Sequence, residues 1–483
     1  MPRPNLLFLM PDQLRHDFLG CYGADFAETP NIDGLADHGV LYRNAYSPSP
    51  ICVPARSLLM TGVNAIRTGV LGNGEFLRPD LEDCGIRTWP QHLADAGYTT
   101  AAIGKMHFYP WDLKLGFQYR VAAEDKRWIH IEDDYQRFLK RSGYRKLHGN
   151  EHDGYQDGRG AIVNRIPWEY SVDRFVGQET CRFIRELPAE ETFAAMVGFP
   201  GPHCPYDPNQ EFLDGVDESR MPPAIPVSED DPQHLVAGNV RGNKSEWNGV
   251  DYAEFTDAHK RKIRAHYTAL VQQIDHEIGD ILNVLEETGR LDNTVIIFGS
   301  DHGDYLGDHG LIGKGTFLEA STHVPLIVRT PGQNGGRVST EPASIEDITA
   351  TLLSLGGVEP PGYMDSKPLP ELGIPGSAPR DIVFGFLAGG CMAFDGEWKL
   401  IKYASGQTRL YNIPQDPGEQ KNRLDERRDI ADRLDAALTT KLFQSLRQSN
   451  REKTVDDSTG LWQSEAFGRL RWKRRYPQPL DNS

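Results

Sequence analysis

Short apolar runs, each stopped by polar or glycine-bearing residues, set the dominant pattern of the chain. Asn5 to Met10 reads NLLFLM and gives way at once to Pro11-Asp12-Gln13. An unbroken run of this length suits a strand buried on both faces. Tyr98 to Ile103, Phe193 to Phe199, Thr294 to Phe298 (TVIIF) and Val324 to Val328 repeat it. Between them, Trp89 to Ala96, Val172 to Leu187 and Ala258 to Thr288 carry helical spacing, the first and last closed by Gly97 and Gly289. Strand alternating with helix predicts an α/β fold, a mostly parallel sheet with helices on both faces. Ligand groups in such folds gather beyond the C-terminal ends of strands. That singles out Asp12-Gln13, Gly104-Lys105 and Ser300-Asp301-His302.

The pattern changes late in the chain. Pro360 to Pro379 is rich in Pro and Gly and reads as a boundary. Beyond it, Asp381–Phe386, Cys391–Phe394, Trp398–Tyr403 and Arg409–Asn412 predict a small antiparallel sheet, followed by a helix over Ile430 to Gln448. The expected divisions are a catalytic α/β domain over 1–375, an α+β subdomain over 376–450 and a basic tail over 451–483. Arg469 to Arg475 holds five cations among seven residues. Its plain reading is a solvated tail; the alternative is an arm docked on an acidic neighbouring subunit, which gives a homo-dimer or homo-tetramer. Val121 to Ile166 is polar and aromatic without a clear period, as expected of an excursion over one end of the sheet.

Composition narrows the partners. The 483 residues carry 52 Lys+Arg against 69 Asp+Glu, a formal net charge of −17. Such a chain is a poor partner for nucleic acid or an anionic membrane, and an anionic substrate needs a local cation cluster. Leu6 to Met10 is too short for a bilayer span or a secretory signal, so a cytoplasmic location is expected. The six cysteines are scattered without a CxxC pair, which predicts mostly free, buried thiols.

One cysteine stands apart. Pro50-Ile51-Cys52-Val53-Pro54-Ala55-Arg56-Ser57 is a Pro-rich loop feeding a helix, and a cysteine there is not a plain core residue. Arg56 lies one helical turn on and can face it, and a helix N-terminus favours an anion beside it. Asp12, Gln13, Asp301 and His302, expected at two strand ends, form an oxygen-rich set with one imidazole, suited to a shared divalent cation.

Cys52-x-Pro54-x-Arg56 followed by Ser57-Leu58-Leu59-Met60-Thr61-Gly62 resembles the signature of the type I sulfatases of the alkaline phosphatase superfamily, and the resemblance extends over roughly residues 4–425. Its last part is the strand Arg409-Leu410-Tyr411-Asn412 and the turn Asp416-Pro417-Gly418-Glu419-Gln420-Lys421-Asn422. It implies that Cys52 is oxidised to formylglycine by a maturation enzyme. One hydroxyl of the hydrated aldehyde attacks sulfur, and the other expels inorganic sulfate from the sulfo-enzyme. The ion would be Ca²⁺, Mn²⁺ or Mg²⁺, held by Asp12, Gln13, Asp301, His302 and residue 52 itself. Lys105 and His107 resemble the family's GKxH segment: Lys105 clamps the sulfate, and His107 helps the hemiacetal collapse. His203 matches the general acid and Lys314 the second clamp. Asn73 is a candidate for a hydrogen bond to the transferred group, although an Asn-Gly turn accounts for it equally. Asp308 and His309 read as loop structure.

Many members carry Asp where Gln13 stands and Asn where His302 stands, so this chain gives up one negative charge and gains a nitrogen ligand, a change toward Mn²⁺ or a similar metal. The resemblance implies hydrolysis of a small-molecule sulfate ester. Its alternative is phosphonate monoester or phosphodiester hydrolysis on the same formylglycine and metal set, a branch in which uncharged hydroxyl residues tend to replace Lys105 and His107.

Overall fold

The computed structural model describes residues 3–230, 233–333 and 335–454. The basic segment Arg469 to Arg475, and with it the docking arm, lies outside the described residues. Eight strands form the main sheet: Asn5–Asp12 (β1), Val40–Tyr46 (β2), Thr99–Gly104 (β3), Tyr119–Ala122 (β4), Phe193–Pro202 (β5), Thr294–Gly299 (β6), Leu326–Arg329 (β7) and Arg337–Ser344 (β8). Their spatial order is β4-β3-β5-β1-β6-β7-β2-β8. All neighbours run parallel except β7, which is antiparallel to both β6 and β2.

The central strands β1, β3, β5 and β6 are buried nearly throughout because both of their faces are covered. Leu6, Phe8 and Met10 pack with Ala194, Met196, Val295 and Ile297 under the helices Cys52–Thr61, Trp89–Asp95 and Asp347–Leu355. Leu7 and Leu9 pack on the opposite face with Ala195, Val197, Ile296 and Phe298, under Val172–Glu186 and the 31-residue helix Asp257–Glu287. This sandwich puts β1, β5 and β6 at the centre with their C-terminal ends at one edge.

A second sheet, Val383–Leu387 (β9), Gly390–Phe394 (β10), Trp398–Tyr403 (β11) and Thr408–Asn412 (β12), is antiparallel in the order β12-β11-β10-β9. The helix Arg428–Thr454 covers one face through Ile430, Ala431, Leu434 and Leu438. The other face packs through Met392, Phe394 and Ile401 on Tyr46, Tyr305 and Phe317 of the main domain. At this seam Lys399, fully buried, pairs with Glu319 and Glu419 at 2.7 Å each. Glu419 belongs to the Asp416–Asn422 turn, so that turn ties the two sheets together. No helix among the described residues is long and apolar enough to cross a membrane.

Candidate active site

Four strand ends and one helix N-terminus converge at the C-terminal edge of the main sheet. β1 ends in a register shift at Asp12, and Gln13 then takes a left-handed backbone (φ +71°). Two bonds hold that conformation: Gln13 N–H donates to Asp301 Oδ1 (3.0 Å), and Gln13 C=O accepts from Tyr267 O–H (2.6 Å). β3 ends in Gly104, at φ +94°, where a Cβ would meet the Gly198 carbonyl oxygen at 2.1 Å. Only glycine fits there, and the turn it makes sends Lys105 inward. Ser47 O–H donates to the Asp301 carbonyl (2.5 Å) and so fixes the end of β6.

Cys52 is the first residue of the helix Cys52–Thr61, with extended Ile51 as its N-cap. Its Sγ lies 3.1 Å from His302 Nε2 and 3.9 Å from Asp12 Oδ1. Ligand atoms of Asp12, Cys52, Asp301 and His302 all lie within 4.8 Å of one another, and all four residues are buried. His302 Nδ1–H donates to Gly303 C=O (2.9 Å), which turns Nε2 toward Cys52: the protonated ring donates there to the thiolate, and the neutral ring offers its lone pair to a cation. Two carboxylates and a correctly presented imidazole fit a divalent cation.

The charges around this cluster are balanced by burial and pairing. Arg56 Nη2 and Lys105 Nζ meet Asp12 Oδ2 at 2.9 and 2.8 Å, and Arg56 Nε meets Asp301 Oδ2 at 2.9 Å. Arg56 also donates to the Lys105 carbonyl (2.7 Å). Its guanidinium therefore faces the carboxylates and the β3 end instead of the cavity, and it acts as the brace of the anionic set. Burial pushes the Asp12 carboxyl up, but Lys105 and Arg56 together hold it below its usual value. Burial likewise pushes the Cys52 thiol up, and the cations Lys314, His302 and Lys105 overcome this and hold it well below its usual value.

On the open side Lys314 Nζ donates to Gln13 Oε1 and lies 2.7 Å from His203 Nε2. His203 Nδ1–H donates to the Cys204 carbonyl (2.8 Å), so Nε2 carries a lone pair directed at the ammonium. Burial first, then Lys314 and Arg127, push His203 down to about 3. The His203 ring is therefore neutral and accepts at Nε2 from Lys314 Nζ–H. His107 takes a left-handed backbone (φ +60°), its ring stacks on Trp111 with centroids 6.0 Å apart, and it helps to hold the Cys52 thiol below its usual value. Its Nδ1 is buried without a partner. Asn73 Oδ1 accepts from Val53 N–H (3.0 Å), which fixes the helix start; the residue also lines the cavity.

That cavity, of about 530 Å³, has Cys52, His107, His203 and Lys314 at its floor. Its walls bring in residues the sequence did not single out: Tyr109, Arg127, Trp128, Asn239 and Trp247. Arg127 is committed to Asp125 through two bonds (3.0 and 2.8 Å) and lies over the Trp247 ring at 5.1 Å. Asp304, also unforeseen, is fully buried behind Gln13. Asp308 pairs with Arg15 at 2.6 Å and with Arg264, a loop brace in keeping with its sequence reading. All six cysteines are free thiols.

The chain as a whole has known relatives. The sequence pattern of the sulfatase family matches residues 4–358. A choline-sulfatase from Rhizobium meliloti is 30% identical over 96% of this chain and 88% of its own, and an arylsulfatase from Clostridium perfringens is 30% identical over 77% and 78%. A phosphonate monoester hydrolase of Agrobacterium radiobacter shares the fold at a TM-score of 0.75 and 24% identity, covering 92% of this chain and 96% of its own.

Proposed function

The chain belongs to the sulfatase family, and from that premise we propose that it hydrolyses small-molecule sulfate monoesters with Cys52, converted to formylglycine, as the nucleophilic position. The observation that carries the reading is the placement of Cys52. It sits at the point where the buried donors Asp12, Asp301 and His302 meet the cavity floor formed with His107, His203 and Lys314.

The charge count supports it. Asp12, Asp301 and the Cys52 thiolate face Arg56, Lys105 and Lys314. Replacing the thiolate with a neutral aldehyde leaves the cations in excess, which suits a sulfate ester anion. The formylglycine supplies a hydrated aldehyde whose hydroxyl takes the sulfuryl group and whose carbonyl, on re-forming, releases sulfate. Asp12, Gln13, Asp301 and His302 would hold a divalent cation, which would supply further positive charge and lower the pKa of a hydroxyl bound to it.

The chain's own residues do the rest. Lys105 and Lys314 direct ammonium groups at the sulfuryl oxygens. Lys314 hands its proton to His203 Nε2 or directly to the leaving oxygen; their 2.7 Å separation makes them one acid. His107, with Nδ1 unpartnered and its ring against residue 52, takes the proton when the aldehyde re-forms. We include a cytoplasmic location in the proposal.

Activity on 4-nitrophenyl sulfate against 4-nitrophenyl phenylphosphonate tests the reading. Matured enzyme is expected to favour the sulfate in kcat/KM; preference for the phosphonate would assign the site to phosphonate monoester hydrolysis.

A further inference from the structure

We propose that Asp304 is a positioning residue that fixes the amide of Gln13 with its oxygen toward the cation site, so that Gln13–Asp304 works as a matched acceptor–donor pair and sets how tightly this chain holds its metal. The inference rests on the cation proposed above.

Asp304 is completely buried, and every group facing its carboxylate donates. Oδ2 accepts from Gln13 Nε2–H and from Tyr206 O–H (2.7 Å). Oδ1 accepts from the backbone N–H of Leu306 (3.0 Å) and of Gly313 (2.8 Å). Three pieces of the site therefore meet on one side chain: the end of β1, the loop after His203 and the loop that presents Lys314.

An amide is ambiguous as a ligand, because its oxygen can bind a cation and its NH₂ cannot. Here both ends of Gln13 are decided by their neighbours. The carboxylate of Asp304 demands the NH₂, and the Lys314 ammonium on the other side takes the oxygen. The left-handed backbone of Gln13 is bonded at both N–H and C=O, and its side-chain amide is held in one of its two flip orientations by Asp304. Groups that orient a ligand in this way are commonly worth about 10- to 100-fold in metal affinity.

Asp304→Asn tests this with nearly unchanged shape. Its NH₂ would confront only donors, and the cheapest relief is to flip Gln13 and turn the wrong end toward the cation. The reciprocal change, Gln13→Glu with Asp304→Asn, restores the match by exchanging amide and carboxylate. Mn²⁺ is titrated calorimetrically into metal-stripped, full-length protein that retains the Cys52 thiol, alongside thermal melting, so that no turnover enters the readout. Asp304→Asn is expected to weaken Mn²⁺ binding by about 10- to 100-fold, and the double variant to recover most of it.

Should the single variant fail to fold, recovery of a cooperative melt in the double variant supports the pairing equally. Binding by Asp304→Asn within about threefold of the parent, a small change on that scale, overturns the inference. A double variant no better than the single in the property lost also overturns it. A parent protein that binds no Mn²⁺ would remove the cation itself, and this inference with it.

Discussion

At the scale of single residues, the site depends on ammonium groups held by burial. Lys105 is almost wholly buried, and although burial pushes its pKa down, Asp12 and Cys52 hold it above the ordinary value. Lys314 is shared between Gln13 and His203. Lys314 lines the cavity, and Lys105 lies behind its floor against Asp12; a preorganised cation aimed at developing negative charge is worth about 100- to 1000-fold in turnover. Lys105→Ala and Lys314→Ala are each expected to lower kcat/KM on an aryl sulfate by that much. A loss under about threefold in either variant would remove that lysine from the reaction.

Asp12, Gln13, Asp301, His302 and Cys52 were legible as candidates because each follows an apolar strand or opens a helix, whereas Lys314, in a loop, was reached only through the family resemblance. Arg56 was legible as part of the site but not in its action, since sequence spacing cannot show that its guanidinium turns toward two carboxylates. Asp304 was not legible at all: its partner Gln13 is 291 positions away, and nothing local distinguishes it from Asp308 in the same glycine-rich loop.

At the scale of elements, the central strands were readable and the outer ones were not. β1, β3, β5 and β6 are buried on both faces and so consist of continuous apolar runs. β8 reads RVSTEPAS with its first half largely exposed, and β2 is interrupted by Arg43 and Asn44, so neither shows such a run. The antiparallel direction of β7 leaves no trace in its composition.

The loop after β3 shows how an element sets chemistry. The buried Glu124 accepts from His107 N–H at 2.7 Å and from Met106 N–H, and Arg120 closes the arrangement by pairing with Glu124. This holds His107 in a conformation that a non-glycine residue pays for. Glu124→Ala is expected to lower kcat by about 100-fold with a much smaller change in KM, since misplacement of a reacting group by an ångström costs that much. An unchanged kcat would show that His107 keeps its place without this anchor.

For the whole molecule, acid stability follows from the buried ionisable groups. Burial pushes His16 and His203 down to about 3, so both stay neutral in the fold long after they charge in the unfolded chain. Asp173 and Asp275, pushed up to about 6 by burial, take protons in the fold first and offset this between about pH 6.5 and 4. Below that range the offset is spent. The carboxyls of Asp12, Asp17, Asp125 and Glu319, which neighbouring cations hold below their usual values despite burial, then add to the loss.

The unfolded chain now binds more protons, so stability falls with pH, each group contributing up to about 1.4 kcal/mol per pH unit. Thermal melting should change little from pH 6.5 to 5 and drop steeply below pH 4. A steep drop centred near pH 6 would contradict this balance. The seam between the sheets depends on the same physics: Lys399→Ala leaves Glu319 and Glu419 buried without their cation, a loss expected at about 3–5 kcal/mol in denaturant unfolding. A change below about 1 kcal/mol would show that the pair had been neutral.

The central claim concerns one atom, the sulfur of Cys52, and mass spectrometry of the peptide that carries it is the most direct test. After co-expression with a formylglycine-generating enzyme, that peptide is predicted to lose about 18 Da in proportion to the sulfatase activity gained. Full hydrolysis of the sulfate ester by protein whose Cys52 peptide retains its unmodified mass would contradict the account.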